Sequence, residues 1–271
     1  MSYLTLANLR TSKDGSSKRT FKTQDGQTLE VGNPVNGSKK DIQVVPTHTG
    51  CNLGCAFCSL TKCSNTKAPR KLRAVEIIEA LDRSYVPYHP TRLISFMGAG
   101  EPLLNLEAVV EVFKHFPGAR HTIAPMIPTL KTFVDFERGT EGLDVKLHWS
   151  LHSTETRVRK ALMPNAESTT VMLRHILERA EKHPVEVHYT LIRDVNDGLQ
   201  DVAALIDWFK GTQVTVRLLK LSPCSLQASG SGEGFLNMLT SHGVKAESYC
   251  PPGLDIGASC GMFDESLYEN A

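Results

Sequence analysis

Three cysteines within eight residues, Cys51-Asn-Leu-Gly-Cys55-Ala-Phe-Cys58, constrain this chain more than any other feature. They follow a β-branched run, Ile42-Gln-Val-Val45, so the pattern predicts three thiols on a loop leaving a strand. Thiolates that close together can each hold one iron of a four-iron cubane cluster, which leaves one iron without a protein ligand and open to a small molecule. A structural zinc site is the competing reading. It wants four ligands, usually as two separated pairs, and the nearest candidates for the fourth are Cys63 and His48. A disulfide framework is disfavoured, because the chain has 7 cysteines, an odd count, and its first residues lack the apolar core of a signal peptide.

At 271 residues the chain fits one α/β domain with an appendage. The 30 basic residues nearly cancel the 29 acidic ones, so no global field attracts a polyanion, although a local basic patch can still exist. No apolar stretch approaches the roughly 18 residues that a bilayer span requires. The expectation is a cytoplasmic protein without a membrane partner, and a reducing compartment also suits an oxygen-sensitive cluster.

Residues 1–40 are rich in Lys, Ser, Thr, Gly and Asn and form an expected N-terminal extension, with a core of residues 41–271 to follow. Asp25-Gly26, between Arg19–Thr23 and Gln27–Val31, predicts a β-hairpin. Lys13, Lys18, Arg19, Lys22, Lys39 and Lys40 are either an RNA-facing patch or a solvated surface. From Asp41 onward strands alternate with helices. Strands are expected at 42–46, 92–97, 120–124, 145–151, 185–192, 214–221 and near 244–249. Helices are expected at 74–81, 105–116 with Asn105 as cap, 128–138, 168–182, 199–210 and 235–242. About six β/α units in series imply a parallel sheet with right-handed crossovers, an α/β partial barrel of TIM-like (β/α)6 type with a short β-hairpin extension. In such barrels chemistry sits at the carboxyl ends of the strands. The cysteine loop, Gly98–Pro102, Ser150-Leu-His152 and Ser222-Pro-Cys224 all fall there.

A cluster with an open iron can bind an amino acid through its amino nitrogen and carboxylate. S-adenosylmethionine presents that pair, and electron transfer can cleave its sulfonium to an adenosyl radical. Such a ligand needs an anion near its ammonium and close backbone approach. Gly98-Ala-Gly-Glu-Pro102 offers two glycines and a carboxylate, and Ser150 and His152 lie on one side of a strand.

CNLGCAFC at 51–58, MGAGEPLLN at 97–105, SLHS at 150–153 followed by RKALMPN at 159–165, NDG at 196–198 and DIGASCG at 255–261 together resemble the radical S-adenosylmethionine methyltransferases of the RlmN/Cfr type. The resemblance runs in order over roughly residues 42–263. It implies a radical SAM barrel, methylation of an adenine carbon in RNA, a 4Fe-4S cluster on Cys51, Cys55 and Cys58, and S-adenosylmethionine held by Gly100, Glu101, Ser150, Leu151 and His152. It further implies that Cys260 accepts a methyl group as S-methylcysteine before passing it to an sp2 carbon. Glu30 resembles the family's proton acceptor, and an external one-electron donor such as flavodoxin or ferredoxin is implied.

Three positions depart from the family pattern. Val44 stands where the family keeps its second cysteine, seven residues before Cys51, so product release needs another group, with Cys224 and Cys63 as candidates. Ser222 replaces a cofactor-contacting asparagine, and Ala124 replaces a serine. About 40 residues precede the barrel, fewer than the family's N-terminal RNA-binding domain, which keeps a nucleotide, a small molecule or a peptide open as substrate. A metal-stabilised binding module without catalysis is the reading from another class.

Overall fold

The computed structural model of the chain describes residues 2–61, 69–222, 224–258 and 262. One ten-stranded sheet organises them, with the strands in sequence order from edge to edge. Strands β1 (Leu4–Thr11), β2 (Ser17–Thr23) and β3 (Thr28–Asn33) form an antiparallel meander. It joins β4 (Asp41–Val45) through the single antiparallel partner pair Gly32 and Val44.

From β4 every neighbour is parallel: β5 (Arg92–Phe96), β6 (Arg120–Ile123), β7 (Val145–Ser150), β8 (Val185–Thr190), β9 (Thr215–Leu219) and β10 (Lys245–Tyr249). The sheet does not close on itself, since β1 and β10 are its two edges. This is the expected partial barrel, with β10 as the last strand expected near 244–249.

The crossovers are α1 (Ala74–Ser84), α2 (Leu106–His115), α3 (Leu130–Gly139), α4 (Thr156–Leu162), α5 (Thr169–Ala180), α6 (Leu199–Phe209) and α7 (Gly232–Ser241). Their apolar stripes bury against the outer face of the sheet and form one core with Trp149, Phe96, Phe113, Phe136 and Phe209. No helix among the described residues is long and apolar enough to cross a membrane.

The expected hairpin is present as β2 and β3, closed by a turn in which Gly26 takes φ +80°. Two elements are additional. Strand β1 is exposed along seven of its eight residues, so its sequence carries no inward-facing alternation. Helix α4 is seven residues long and carries three basic side chains, too short for a helical stripe to show; Glu155 caps it by accepting from the Arg157 and Val158 amides.

Asn105 precedes α2 as expected, but its side chain does not cap. Its Nδ2 donates to the carbonyls of Thr47 (2.9 Å) and Leu72 (2.8 Å) and so fixes the chain around the cysteine loop. Lys18 does not belong to a surface patch either: it is 4% exposed and ion-paired to Glu30 at 2.8 Å.

The first two crossovers meet at Gly98. Its amide donates to Val45 O at 3.0 Å, and a Cβ built there would lie 2.6 Å from the Pro46 nitrogen. Backbone cannot yield as a flexible side chain does. Gly98→Ala is therefore expected to cost about 1–3 kcal/mol, the usual range for overpacking, as a lowered midpoint in urea unfolding.

Candidate active site

The loops at the carboxyl ends of the parallel strands surround one cavity. The chain enters it from β4 through Thr47 and His48, whose amides both donate to Ala99 O (2.9 and 3.2 Å). Gly100 follows with φ +92°, and the His48 ring lies where a Cβ on Gly100 would be. The first strand-end turn can therefore lie flat against the second only because residue 100 is glycine.

Cys51, Cys55 and Cys58 all line the cavity. The loop that carries them is held by bonds from outside the triplet. Ala56 N donates to Leu162 O at 2.9 Å, and Asn165 Nδ2 donates to Leu53 O at 2.9 Å. Within the loop, Cys55 O accepts from Cys58 N (3.1 Å) and Thr61 Oγ1 (2.7 Å). Leu53, Ala56 and Phe57 pack on a small apolar cluster of Met126, Leu162, Met163 and Leu221.

Burial pushes the Cys51 thiol up. The amides of Leu53 and Gly100 oppose that shift by hydrogen bonding to the sulfur, and Glu101 adds to it. Amide donors to the Cys51 sulfur and three thiols lining one cavity suit an iron–sulfur cluster.

Glu101 is 3% exposed, and each of its carboxylate oxygens accepts one amide: Leu103 N at 3.1 Å and Met126 N at 2.9 Å. Burial pushes its carboxyl up to about 7, against those two bonds and the Arg159 charge. Each oxygen keeps a second lone pair, so the group can still receive a cation from the cavity.

Arg159, in α4, is the buried counter-charge. It donates to four carbonyls: Ser150 O and Leu151 O at 2.5 Å, Met126 O at 2.7 Å and Glu167 O at 3.2 Å. Burial holds its guanidinium down to about 9, and the nearby Cys55, Glu101 and Glu167 push the other way. Its aliphatic and planar parts stack over Trp149, with the charge 5.4 Å from the ring centre.

His152 follows β7 with φ +55°, which turns its ring toward the cavity. Its Nδ1 accepts from Thr190 N at 3.1 Å, which places the ring proton on Nε2 as a donor. Burial, then the neighbouring His188 and Arg159, hold it well below the ordinary imidazole range, so it is neutral. Asn196 locks this conformation: its Nδ2 donates to His152 O (2.6 Å) and Thr190 O (2.8 Å), and its Oδ1 accepts from Ile192 N (2.7 Å).

Of the other expected contacts, Gly100, Glu101, Ser150, His152 and Ser222 line the cavity, as do Val44 and Ala124. The Leu151 side chain is 0% exposed in the main core, because successive residues of an extended chain face opposite ways and Ser150 takes the inward direction. Cys224 packs beside Met126 and Leu221 and is not among the lining residues.

Glu30 lies away from the cavity wall, buried against Lys18, whose Nζ also donates to Gly257 O at 2.9 Å. Cys63 and Cys260 lie outside the described residues. Arg159 opens the RKALMPN stretch, but nothing local in that stretch marks the arginine as buried behind the site.

Below the cavity floor, His148, Glu186 and His188 approach within metal-ligand reach of one another. Glu186 is already paired with Lys146 and, at 3.0 Å, with Arg217, so a cation would enter beside two positive charges. The cluster is a buried polar layer, and His188 forms part of the cavity wall.

Removing the Arg159 fork takes a donor from four carbonyls, of which Leu151 O keeps the Ser153 amide at 2.8 Å. At about 1–3 kcal/mol for each unsatisfied group, Arg159→Met is expected to destabilise the fold by at least ~3 kcal/mol in urea unfolding. Arg159→Lys recovers only part of that, because one ammonium cannot span the fork.

No family model matches the chain. Its relatives include the dual-specificity RNA methyltransferase RlmN of a Sulfurovum species, 30% identical over an alignment of 302 positions that covers 98% of this chain and 83% of the relative. The protein of the same name from a Nitratiruptor species is 28% identical over 295 residues, 97% of this chain and 82% of that one. Among solved structures, a radical SAM methyltransferase from Sphaerobacter thermophilus superposes with a TM-score of 0.82 at 24% identity, covering 98% of this chain and 82% of the other. The spore photoproduct lyase complexed with dinucleoside spore photoproduct shares the fold more distantly, with a TM-score of 0.57 at 11% identity over 77% of this chain and 76% of the other. A sequence match across nearly the whole of this chain and most of its relatives, on a shared fold, means that this chain belongs to the RlmN family.

Proposed function

We propose that the chain is a radical S-adenosylmethionine methyltransferase that methylates an sp2 carbon of an adenine in RNA, with Cys51, Cys55 and Cys58 as ligands of a 4Fe-4S cluster. The observation that carries this reading is the convergence of those three cysteines with Glu101, Ser150 and His152 on one cavity. When bound, the cluster supplies the electron that cleaves the sulfonium of S-adenosylmethionine. The chain's own residues provide the rest. Glu101 offers a carboxylate to the ligand's ammonium, and its pKa of about 7 falls again once that cation arrives. His152 presents an Nε2–H donor and Ser150 a hydroxyl, while Arg159 keeps both strand-end turns in place from behind. Gly98 and Gly100 let the backbone come close to the ligand.

RNA as the substrate rests on the relatives, which are named as RNA methyltransferases. Residues 1–40 are proposed as an extension of the 41–271 barrel core, built onto its sheet edge through β3. A cytoplasmic setting and an external one-electron donor such as flavodoxin or ferredoxin fit the cluster's need for reducing conditions. Cys260 is proposed as the methyl acceptor, and Glu30 as a proton acceptor.

One observation favours a second reading. Val44 lines the cavity at the position of the family's second thiol, and a valine cannot release a protein-bound adduct. Another group then completes the cycle, or the same site modifies a nucleotide, a small molecule or a peptide without it.

Anaerobic reconstitution is expected to give a cubane EPR signal and S-adenosylmethionine cleavage, both absent in Cys55→Ala. Cys260→Ala is expected to retain cleavage and to lose methyl transfer to RNA, and mass spectrometry of the wild-type peptide should show a methylated Cys260. Normal methyl transfer by Cys260→Ala would remove that residue from the mechanism, and transfer to a nucleotide but not to RNA would select the second reading.

A further inference from the structure

The sheet is open between β10 and β1, and a short C-terminal segment crosses that gap. Pro251 and Pro252 line the cavity after β10. A single turn of 3-10 helix, Leu254–Ile256, follows between Gly253 and Gly257, both with positive φ, and Ala258 returns to the cavity wall. Ala258 N donates to Gly253 O at 2.9 Å and closes the turn. The wall that faces β4 is therefore made by residues with no strand to hold them.

What holds them is the N-terminal meander. Gly253 N donates to Asp14 Oδ2 at 2.7 Å, and Ser12 Oγ donates to Asp255 Oδ1 at 2.5 Å. Lys13 N donates to Asp255 Oδ2 at 3.4 Å, and Lys18 Nζ donates to Gly257 O at 2.9 Å. Gly32 in β3 lies close under Ala258 O, where an added Cβ would be 3.4 Å away.

The docking side is itself ordered before it meets the turn. Ser12 N donates to Ser16 O (2.7 Å), Ser16 N to Asp14 Oδ1 (2.8 Å) and Asp14 N to Ser12 Oγ (3.2 Å), so the β1–β2 connection presents its polar groups in fixed directions.

We infer that Ser12 and Asp14, on the β1–β2 connection, are positioning residues for methyl loading, in which the Cys260 thiolate takes the methyl group of S-adenosylmethionine and S-adenosylhomocysteine leaves: they dock the Gly253–Ala258 turn against the cavity, and Cys260 follows that turn by two residues in the sequence. This rests on the reading of Cys260 as methyl acceptor. Displacement of a reacting group by about an ångström can cost on the order of a hundredfold in rate, so a dock far from the chemistry can control it. The extension then has a task within the barrel's own reaction, separate from any contact with RNA.

The test compares the wild type with Asp14→Ala, Asp14→Asn and the pair Ser12→Ala/Asp14→Ala, all as full-length reconstituted protein. Two rates are read on each: methylation of Cys260 by mass spectrometry, and reductive cleavage of S-adenosylmethionine. The expected result is a fall in methylation of about tenfold or more in the double variant with cleavage within about twofold of wild type, the pattern of misplacement without loss of the cofactor site. Asp14→Asn keeps one carbonyl oxygen and should fall between the wild type and Asp14→Ala. Unchanged methylation, or an equal loss in both rates, overturns the inference. A wild type that never methylates Cys260 fails the functional reading instead. In that case hydrogen exchange over residues 250–258 decides whether the dock exists: faster exchange in Asp14→Ala supports it, and unchanged exchange overturns it.

Discussion

The guanidinium of Arg159 is the contact on which the site depends. Four carbonyls from three different connections converge on it, and of these Leu151 O also accepts from the Ser153 amide at 2.8 Å. The cost of burying the cation is offset because it is spread over a planar fork that reaches all four, with Glu101 and the Cys55 sulfur as nearby negative charge. Glu101 performs the complementary task one layer nearer the cavity, accepting amides from the turn after β5 and the turn after β6. A cation gathering carbonyls and an anion gathering amides hold the strand ends in a geometry that no single strand specifies.

Much of this arrangement was legible in the sequence, and the gaps have physical causes. The cysteine spacing, the glycines of Gly98–Glu101 and the alternation of β-branched runs with helical stripes place the cavity and the parallel sheet. Period-two alternation also separates Ser150 from Leu151, so the burial of the Leu151 side chain in the core was available from strand geometry alone. Arg159 was not available in that way. Its role arises from four backbone atoms distant in sequence, and local chemistry marks a basic residue in α4 as surface. The burial of Lys18 escaped for the same reason: it reads as surface until Glu30 and Gly257 O of the C-terminal turn engage its ammonium. Strand β1, exposed on both faces, carries no burial pattern to read.

The layer of His148, Glu186 and His188 shows why a donor set alone does not define a metal centre. Burial, then Lys146 and Arg217, hold the His148 ring neutral, and the same two cations already occupy the one carboxylate. Both ring nitrogens of His148 and Nε2 of His188 have no hydrogen-bond partner among the described residues.

The anchoring of the cysteine loop bears on what happens when the cluster is lost. Its backbone is tied to Leu162 and Asn165 and its apolar side chains to the Met126 cluster, through contacts that involve no thiol. Metal sites whose ligands are ordered only by the metal unfold on chelation. Here the cysteine loop has its own scaffold, so under the proposed ligation exposure to air should strip the prosthetic group and leave a receptive apoprotein that takes it up again.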